Sequence, residues 1–289
     1  MNPYEIYRRY KDTYTNYASV LWEGLRKRND IRVVLKDKSV HTWKANVVFH
    51  FSQIYTDKMS HLIRFSADEE EDFIEFEYRG KRIKMCEGTS NGDVGDVFWT
   101  EDYKFLNVED ENVIDIGANI GDSSIYFALN NAKKVVALEP YPYSYNIALK
   151  NMQENKMEDR VELLNAGYGE DRTVRIDENF ENTFGSDLKK FSVGKEIEIY
   201  SLKTLFNKYS LDSVVLKMDC EGCEYSLLRE DDDILRKFKR IQIEYHYGYE
   251  KLKEKLESSG FNVKFTRPHK VYNRDSDDPD MAVGYIYAE

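Results

Sequence analysis

From residue 112 onward, short apolar runs alternate with longer stretches of helical periodicity. The runs Asn112–Ile116, Lys134–Leu138, Val161–Leu164, Val214–Met218, Ile241–Tyr245, Phe261–Phe265 and Met281–Tyr287 read as strands. Helical patterns starting near Asp122, Tyr143, Ser201 and Gly222 separate the first five, and another starts near Tyr249. Alternation of this kind predicts crossover units and a parallel sheet covered on both faces. The stretch from Thr173 to Tyr200 breaks the rhythm with two β-rich pieces, Thr173–Asp177 and Glu196–Tyr200. It reads as an insertion, residues 172–200, between the third strand and its helix.

Before residue 111 the pattern is different. Tyr4, Tyr7, Tyr10, Tyr14, Tyr17 and Leu21 recur at steps of three and four, which predicts one helix with an aromatic face. That face has three readings: packing on the main domain, a homodimer seam, or a substrate-contacting surface. Residues 44–51 are rich in Val and Phe and read as a strand. Phe73–Tyr78 and Lys81–Met85, joined by Arg79-Gly80, read as a hairpin, and the acidic run 68–72 as a solvated loop. The expected organisation is a helical extension (1–44), a β-rich lead-in or small subdomain (45–110) and an α/β domain (111–289).

Charge sharpens that division. Residues 1–44 carry ten Lys/Arg against five Asp/Glu, and with −11 over the whole chain the other 245 residues carry −16. An anionic body is a poor non-specific binder of nucleic acid, so a nucleic-acid partner is not expected. The five prolines and 15 glycines in 289 residues exclude collagen-like and low-complexity classes. Cys86, Cys220 and Cys223 are too few for a disulfide framework, and the start Met1-Asn2-Pro3-Tyr4-Glu5 has no signal-peptide pattern, so a reducing, cytoplasmic setting is expected. No apolar run approaches the length of a membrane span.

The chemistry concentrates at strand ends. Val113-Ile114-Asp115-Ile116-Gly117-Ala118-Asn119-Ile120-Gly121-Asp122-Ser123 runs from a buried strand through a glycine turn into a helix, where a ligand is expected to meet free backbone N–H groups. Gly117 and Gly121 are expected to let the chain approach that ligand closely. The Gly-x-x-x-Gly spacing departs from the dinucleotide fingerprint and disfavours NAD. Twenty-two residues on, Glu139 and Pro140 end the second strand, and a carboxylate there suits the two hydroxyls of a ribose.

These residues, together with Leu216-Lys217-Met218-Asp219-Cys220-Glu221-Gly222-Cys223-Glu224, resemble the FkbM-type methyltransferases. The resemblance covers roughly residues 93–265. It implies a class I methyltransferase-like fold: a seven-stranded sheet, mostly parallel with the last strand antiparallel, here behind an N-terminal helical and β extension. It also implies S-adenosyl-L-methionine as cofactor and O-methylation, mostly of sugar or small-metabolite hydroxyls. By similarity Asp115 holds the methionine amino group, directly or through water, Gly117, Ala118, Asn119 and Gly121 line the methionine, and Ser123 reaches its carboxylate. Asn165 and Ala166 stand where such enzymes meet the adenine. Asp115→Ala and Glu139→Ala are expected to weaken cofactor binding without unfolding the chain.

The strand ending Lys217-Met218-Asp219 brings two charges into the central sheet, and Asp219 with Glu221 is expected beside the transferable methyl. Lys217 is alternatively one half of a structural ion pair, and Glu224 a surface helix residue. His246 ends the fifth strand and is the first candidate for the base that takes the acceptor's proton, with Asp219 second. No metal is expected: Asp219, Glu221 and Glu244 look too loosely gathered for Mg²⁺, and Cys220-x-x-Cys223 lacks the further ligands of a zinc site, so packing is its expected role. The connection Asn273–Asp280, preceded by Arg267, His269 and Lys270, is expected over the acceptor cleft. The expected partner is a glycan or small molecule. The rivals are an RNA or other nucleic-acid methyltransferase that uses the basic extension and a non-catalytic binding protein that retains the fold.

Overall fold

A computed structural model describes residues 3–58, 62–68, 71–89, 93–177, 194–270 and 281–289. The chain divides into two compact units, Met1–Asp102 and Tyr103–Glu289.

In the first unit, helices α1 (Pro3–Thr13) and α2 (Tyr17–Leu25) precede a hairpin, β1 (Asp30–Val34) and β2 (Val40–Lys44). The tyrosine periodicity therefore spans two helices rather than one. The break has a local cause: the Asn16 side chain pairs with the edge of β1, donating to the Arg32 carbonyl at 2.9 Å and accepting from Val34 N at 2.8 Å. Tyr14, wholly buried, donates its hydroxyl to the Val48 carbonyl at 2.6 Å. The inner part of the stripe, Tyr10 and Tyr14, thus packs into its own unit's core, while Tyr4 and Tyr7 stay exposed.

The expected strand at residues 44–51 is helix α3 (Ala45–Lys58) instead. Val47, Val48 and Phe51 fall on one helical face and bury against Ile31, Val33 and Trp43 of the hairpin, and this packing overrides their strand preference. Strands β3 (Leu62–Asp68), β4 (Glu71–Tyr78) and β5 (Lys81–Cys86) form an antiparallel sheet with the expected turn at Arg79-Gly80. Of the acidic run, Asp68 and Glu71 pair at the ends of β3 and β4 and Asp72 accepts from Thr89, so these three belong to strands, and Glu69 and Glu70 lie outside the described residues. A single turn, α4 (Asp93–Gly95), and a π-helical turn (Asp96–Thr100) end the unit.

The second unit carries β6 (Asn112–Ile116), α5 (Asp122–Leu129), β7 (Lys134–Leu138), α6 (Pro142–Asn155), β8 (Val161–Leu164), β9 (Ala166–Tyr168), β10 (Arg172–Ile176), β11 (Lys195–Tyr200), α7 (Leu202–Tyr209), β12 (Val214–Met218), α8 (Asp232–Leu235), β13 (Phe238–Tyr245), α9 (Glu250–Ser258), β14 (Val263–Phe265), the two-residue β15 (His269–Lys270) and β16 (Ala282–Ala288). The main sheet runs β14-β16-β13-β12-β6-β7-β8, with β15 added to β16. β8, β7, β6, β12 and β13 are parallel, and β16 lies antiparallel between β13 and β14. This is the expected seven-stranded α/β sheet. β6 and β12 are buried at every position, as continuous apolar runs in a doubly covered parallel sheet should be. The helix expected from Gly222 is a 3₁₀ segment, Cys223–Arg229, whereas α7 starts as expected on Ser201, whose hydroxyl accepts from Thr204 N. In the insertion, β11 pairs with β10 on one side and β9 on the other as a separate sheet, and residues 178–193 lie outside the described residues.

Candidate active site

Register places Lys217 of β12 beside Asp115 of β6. Neither has appreciable exposure, and the ammonium lies 3.2 Å from Asp115 Oδ1 and donates to the Gly117 carbonyl at 2.6 Å. Burial opposes the lysine's charge, but Asp115 and then Asp219 and Asp122 hold its pKa above the ordinary value. The other Asp115 oxygen accepts from the hydroxyls of Ser123 at 2.7 Å and Ser124 at 2.6 Å. Asp115 is therefore enclosed by chain groups, and so is the Ser123 hydroxyl expected at the methionine carboxylate. On this geometry Asp115→Ala would also strand a buried ammonium, so a loss of stability is expected besides the loss of cofactor binding.

The glycine loop is also anchored from within. Gly117 N and Ala118 N both donate to the Leu138 carbonyl, Asn119 N donates to Glu139 Oε2, Gly121 N to the Ala118 carbonyl, and Ser123 N to the Asp122 carboxylate. Five of the N–H groups expected here to meet a ligand are thus used in joining the loop to β7 and closing its own turn. Gly117 has φ +81°, and a Cβ there would lie 1.7 Å from the Asp219 carbonyl oxygen. Its lack of a side chain lets the β6 and β12 ends abut, a requirement of the fold before any ligand arrives. A Cβ on Gly121 would meet only the end of the flexible Met152 side chain at 2.7 Å and Ala148 Cβ at 3.3 Å, so there it is the φ of +86° that favours glycine.

Glu139 is almost fully buried at the end of β7, and its oxygens accept from Asn119 N and Tyr141 N, both at 2.9 Å. Burial raises its pKa to about 7 against those two bonds. Each carboxylate oxygen has a second lone pair, so room remains for hydroxyl donors. Beside it the Asn165 amide nitrogen donates to the Glu139 and Pro140 carbonyls, both at 3.0 Å, which orients the amide. The Asn165 carbonyl oxygen is then a buried acceptor without a hydrogen bond. Ala166, next in the chain, is buried in β9. A carboxylate for diol hydroxyls and an orphaned acceptor one strand away suit an adenosine.

At the carboxyl ends of β12 and β13 three groups converge: Asp219, Glu221 and His246. His246 Nε2 lies 3.3 Å from Glu221 Oε2 and 4.0 Å from Asp219 Oδ1. Behind it stands Glu224, fully buried rather than on a helix surface. One Glu224 oxygen takes the His246 Nδ1 and backbone N–H groups at 3.0 Å, and the other takes Gly222 N at 2.8 Å. The Tyr103 hydroxyl donates to Asp219 Oδ2 at 3.4 Å, and burial followed by the Asp219 charge keeps that phenol well above its ordinary pKa. Burial by itself would lower the His246 pKa, but the Glu224 bond and charge, then Glu221 and Asp219, lift it to about 10. That direction works against His246 as the neutral base expected from the sequence.

Among the described residues the convergent third group is His246, not Glu244. Glu221 (φ +55°) and Gly222 (φ +118°) turn the chain sharply, bringing Cys220 and Cys223 to a Cα separation of 5.5 Å, where they are joined as a disulfide. This corrects the reading of that pair as packing thiols. Glu224, Ser124 and Tyr103 were not placed at the site by sequence reasoning. Glu224 lies inside the quoted motif, whereas Tyr103, 116 residues from Asp219, carries no local signal. The connection Asn273–Asp280 lies outside the described residues.

The family described as the methyltransferase FkbM domain matches residues 115–265, from Asp115 through β14. The chain belongs to the FkbM methyltransferase family. FkbM proteins of this kind are S-adenosylmethionine-dependent methyltransferases, and S-adenosyl-L-methionine is the cofactor that Glu139 and Asn165 suit. The chain is 28% identical over 145 residues to the tRNA(Phe) (4-demethylwyosine(37)-C(7)) aminocarboxypropyltransferase of Pyrococcus horikoshii, a match covering 50% of this FkbM chain and 47% of that protein. It is 26% identical over 152 residues to uncharacterized protein 158B of Sulfolobus islandicus rod-shaped virus 1, covering 52% and 71%. The M. jannaschii tRNA m1G37 methyltransferase structure overlaps 78% of the chain and 56% of its own at 14% identity, and its TM-score of 0.42 is too low to carry an argument. Among the described residues no helix is long and apolar enough to cross a membrane.

Proposed function

We propose that this FkbM protein methylates a hydroxyl of a sugar, glycan or small metabolite. The observation that carries the reading is the convergence of Asp219, Glu221 and His246 at adjacent strand ends. Bound S-adenosylmethionine supplies an electrophilic methyl group on a sulfonium. The chain's part is to hold the acceptor and take its proton. Asp219 and Glu221, each about a quarter exposed, are reachable from solvent, so a hydroxyl can donate to either carboxylate as its oxygen becomes the nucleophile. His246 stands between the two carboxylates at close range, and Glu224 and Tyr103 fix the geometry of the group. Glu139, Pro140, Asn165 and Ala166 form the adenosine side. Ala118, Asn119 and Gly121 shape the methionine side, with Lys217 and Asp115 as the latch beneath.

A second reading, RNA, is favoured by the P. horikoshii relative, whose name gives tRNA(Phe) as its substrate. Incubation with methyl-labelled S-adenosylmethionine and separated glycan, metabolite and RNA fractions discriminates the two. Label in alkali-stable ethers of the carbohydrate or metabolite pool is the expected result. Label confined to RNA replaces the first reading with the second.

A further inference from the structure

We propose that Asp219, Glu221 and His246 form a divalent metal site for a first-row transition ion such as Mn²⁺. The proposal rests on the methyltransferase reading for its purpose, since the ion would lie where the acceptor hydroxyl is held. Its geometry stands independently. One donor atom from each residue lies within 4.8 Å of the others, with 3.3 Å and 4.0 Å between His246 Nε2 and the two carboxylates. An ion bonded at about 2.0–2.2 Å has neighbouring ligands roughly 3 Å apart and opposite ligands roughly 4.3 Å apart, and the two separations from His246 Nε2 fall between these.

The donors are turned toward one another from behind. Glu224 accepts from Nδ1, which leaves Nε2 as the coordinating nitrogen, and Tyr103 takes Asp219 Oδ2, which leaves Oδ1 toward the histidine. A carboxylate behind a ligating imidazole is the usual support of a metal-binding histidine. The Glu224–His246 bond is fully buried, so it is held in place without an ion. One imidazole with two carboxylates suits Mn²⁺, Fe²⁺ or Zn²⁺ better than the thiolate-seeking soft ions. Three protein ligands leave positions open, as in catalytic rather than structural sites. Both carboxylates are partly exposed, so an acceptor oxygen can reach such a position. There the ion would lower that oxygen's pKa, and its proton would pass to solvent.

The test uses the full chain, stripped with chelator and kept free of reductant so that the Cys220–Cys223 bond stays closed. Mn²⁺ is titrated without cofactor, and free ion is followed by electron paramagnetic resonance. The expected result is one ion per chain, with affinity falling by at least about tenfold in each of His246→Ala, Asp219→Asn and Glu221→Gln. Calorimetric binding of S-adenosylhomocysteine by the same variants shows that they are folded. Absence of Mn²⁺ binding, or binding unchanged in the three variants, overturns the metal site. Loss of binding in Cys220→Ser/Cys223→Ser alone moves the ion elsewhere and also overturns it. If S-adenosylhomocysteine binds and Mn²⁺ does not, the metal site falls while the methyltransferase reading stands; if neither binds, both fall.

Discussion

Replacing Asp115 by Asn keeps the shape of a side chain with no exposed surface and removes the charge that Lys217 faces at 3.2 Å. The Ser123 and Ser124 hydroxyls can still donate to an amide oxygen, so their bonds change little. The lysine ammonium, however, is left with the Gly117 carbonyl as its nearest partner, on a side chain only 2% exposed. Removing one member of a buried pair costs about 3–5 kcal/mol. In a domain of this size that lowers the melting temperature by roughly 6–20 °C. Asp115→Asn/Lys217→Met should recover most of the loss, because a well-packed apolar side chain carries no desolvation penalty. Thermal and urea unfolding of the wild type, the two single variants and the double variant form a cycle that isolates the coupling. The folded pKa of Lys217 lies above its unfolded value, so the pair's contribution is complete below about pH 10.4 and is lost as pH rises through the folded value. In Asp115→Asn burial still opposes the ammonium while its main counter-charge is gone, so the deficit should be largest at low pH and shrink as pH rises and the stranded lysine gives up its proton. A loss under about 1 kcal/mol, or a double variant no more stable than the single, would refute the latch.

Three further outcomes are expected. Because burial raises Glu139 to about pH 7, its ionised form becomes available to ribose hydroxyls only as pH rises through that value; S-adenosylhomocysteine affinity should increase between pH 6 and 8, and Glu139→Gln should flatten the profile in calorimetry. The same shift has the opposite sign for folding, since stability falls as pH rises from the ordinary carboxyl value towards 7, and Glu139→Gln should remove that slope. Gly117→Ala should lower both stability and turnover, because its Cβ would collide with the Asp219 carbonyl at 1.7 Å; unchanged turnover would show that the β6 and β12 ends need not abut.

The sequence by itself determined the alternation of strands and helices after residue 112, because parallel strands covered on both faces must be continuous apolar runs. β6, β7, β8 and β12 accordingly start and stop at the residues where their apolar runs do. It also determined that Asp115, Glu139, Asp219 and His246 lie at or beside strand ends on one edge of the sheet, because strand direction follows from connection length. Tertiary structure decided what those groups touch. Only the β6–β12 register shows that Lys217 faces Asp115, and only the folding of the Glu221-Gly222 turn against β13 shows that Glu224 backs His246. The helix at Ala45–Lys58 was decided in the same way: its Val and Phe residues suit a strand locally, and the energy gained by burying one helical face on β1 and β2 outweighs that preference. Strand ends are legible one segment at a time, whereas charge pairing and burial depend on segments about a hundred residues apart and form only when the sheet closes.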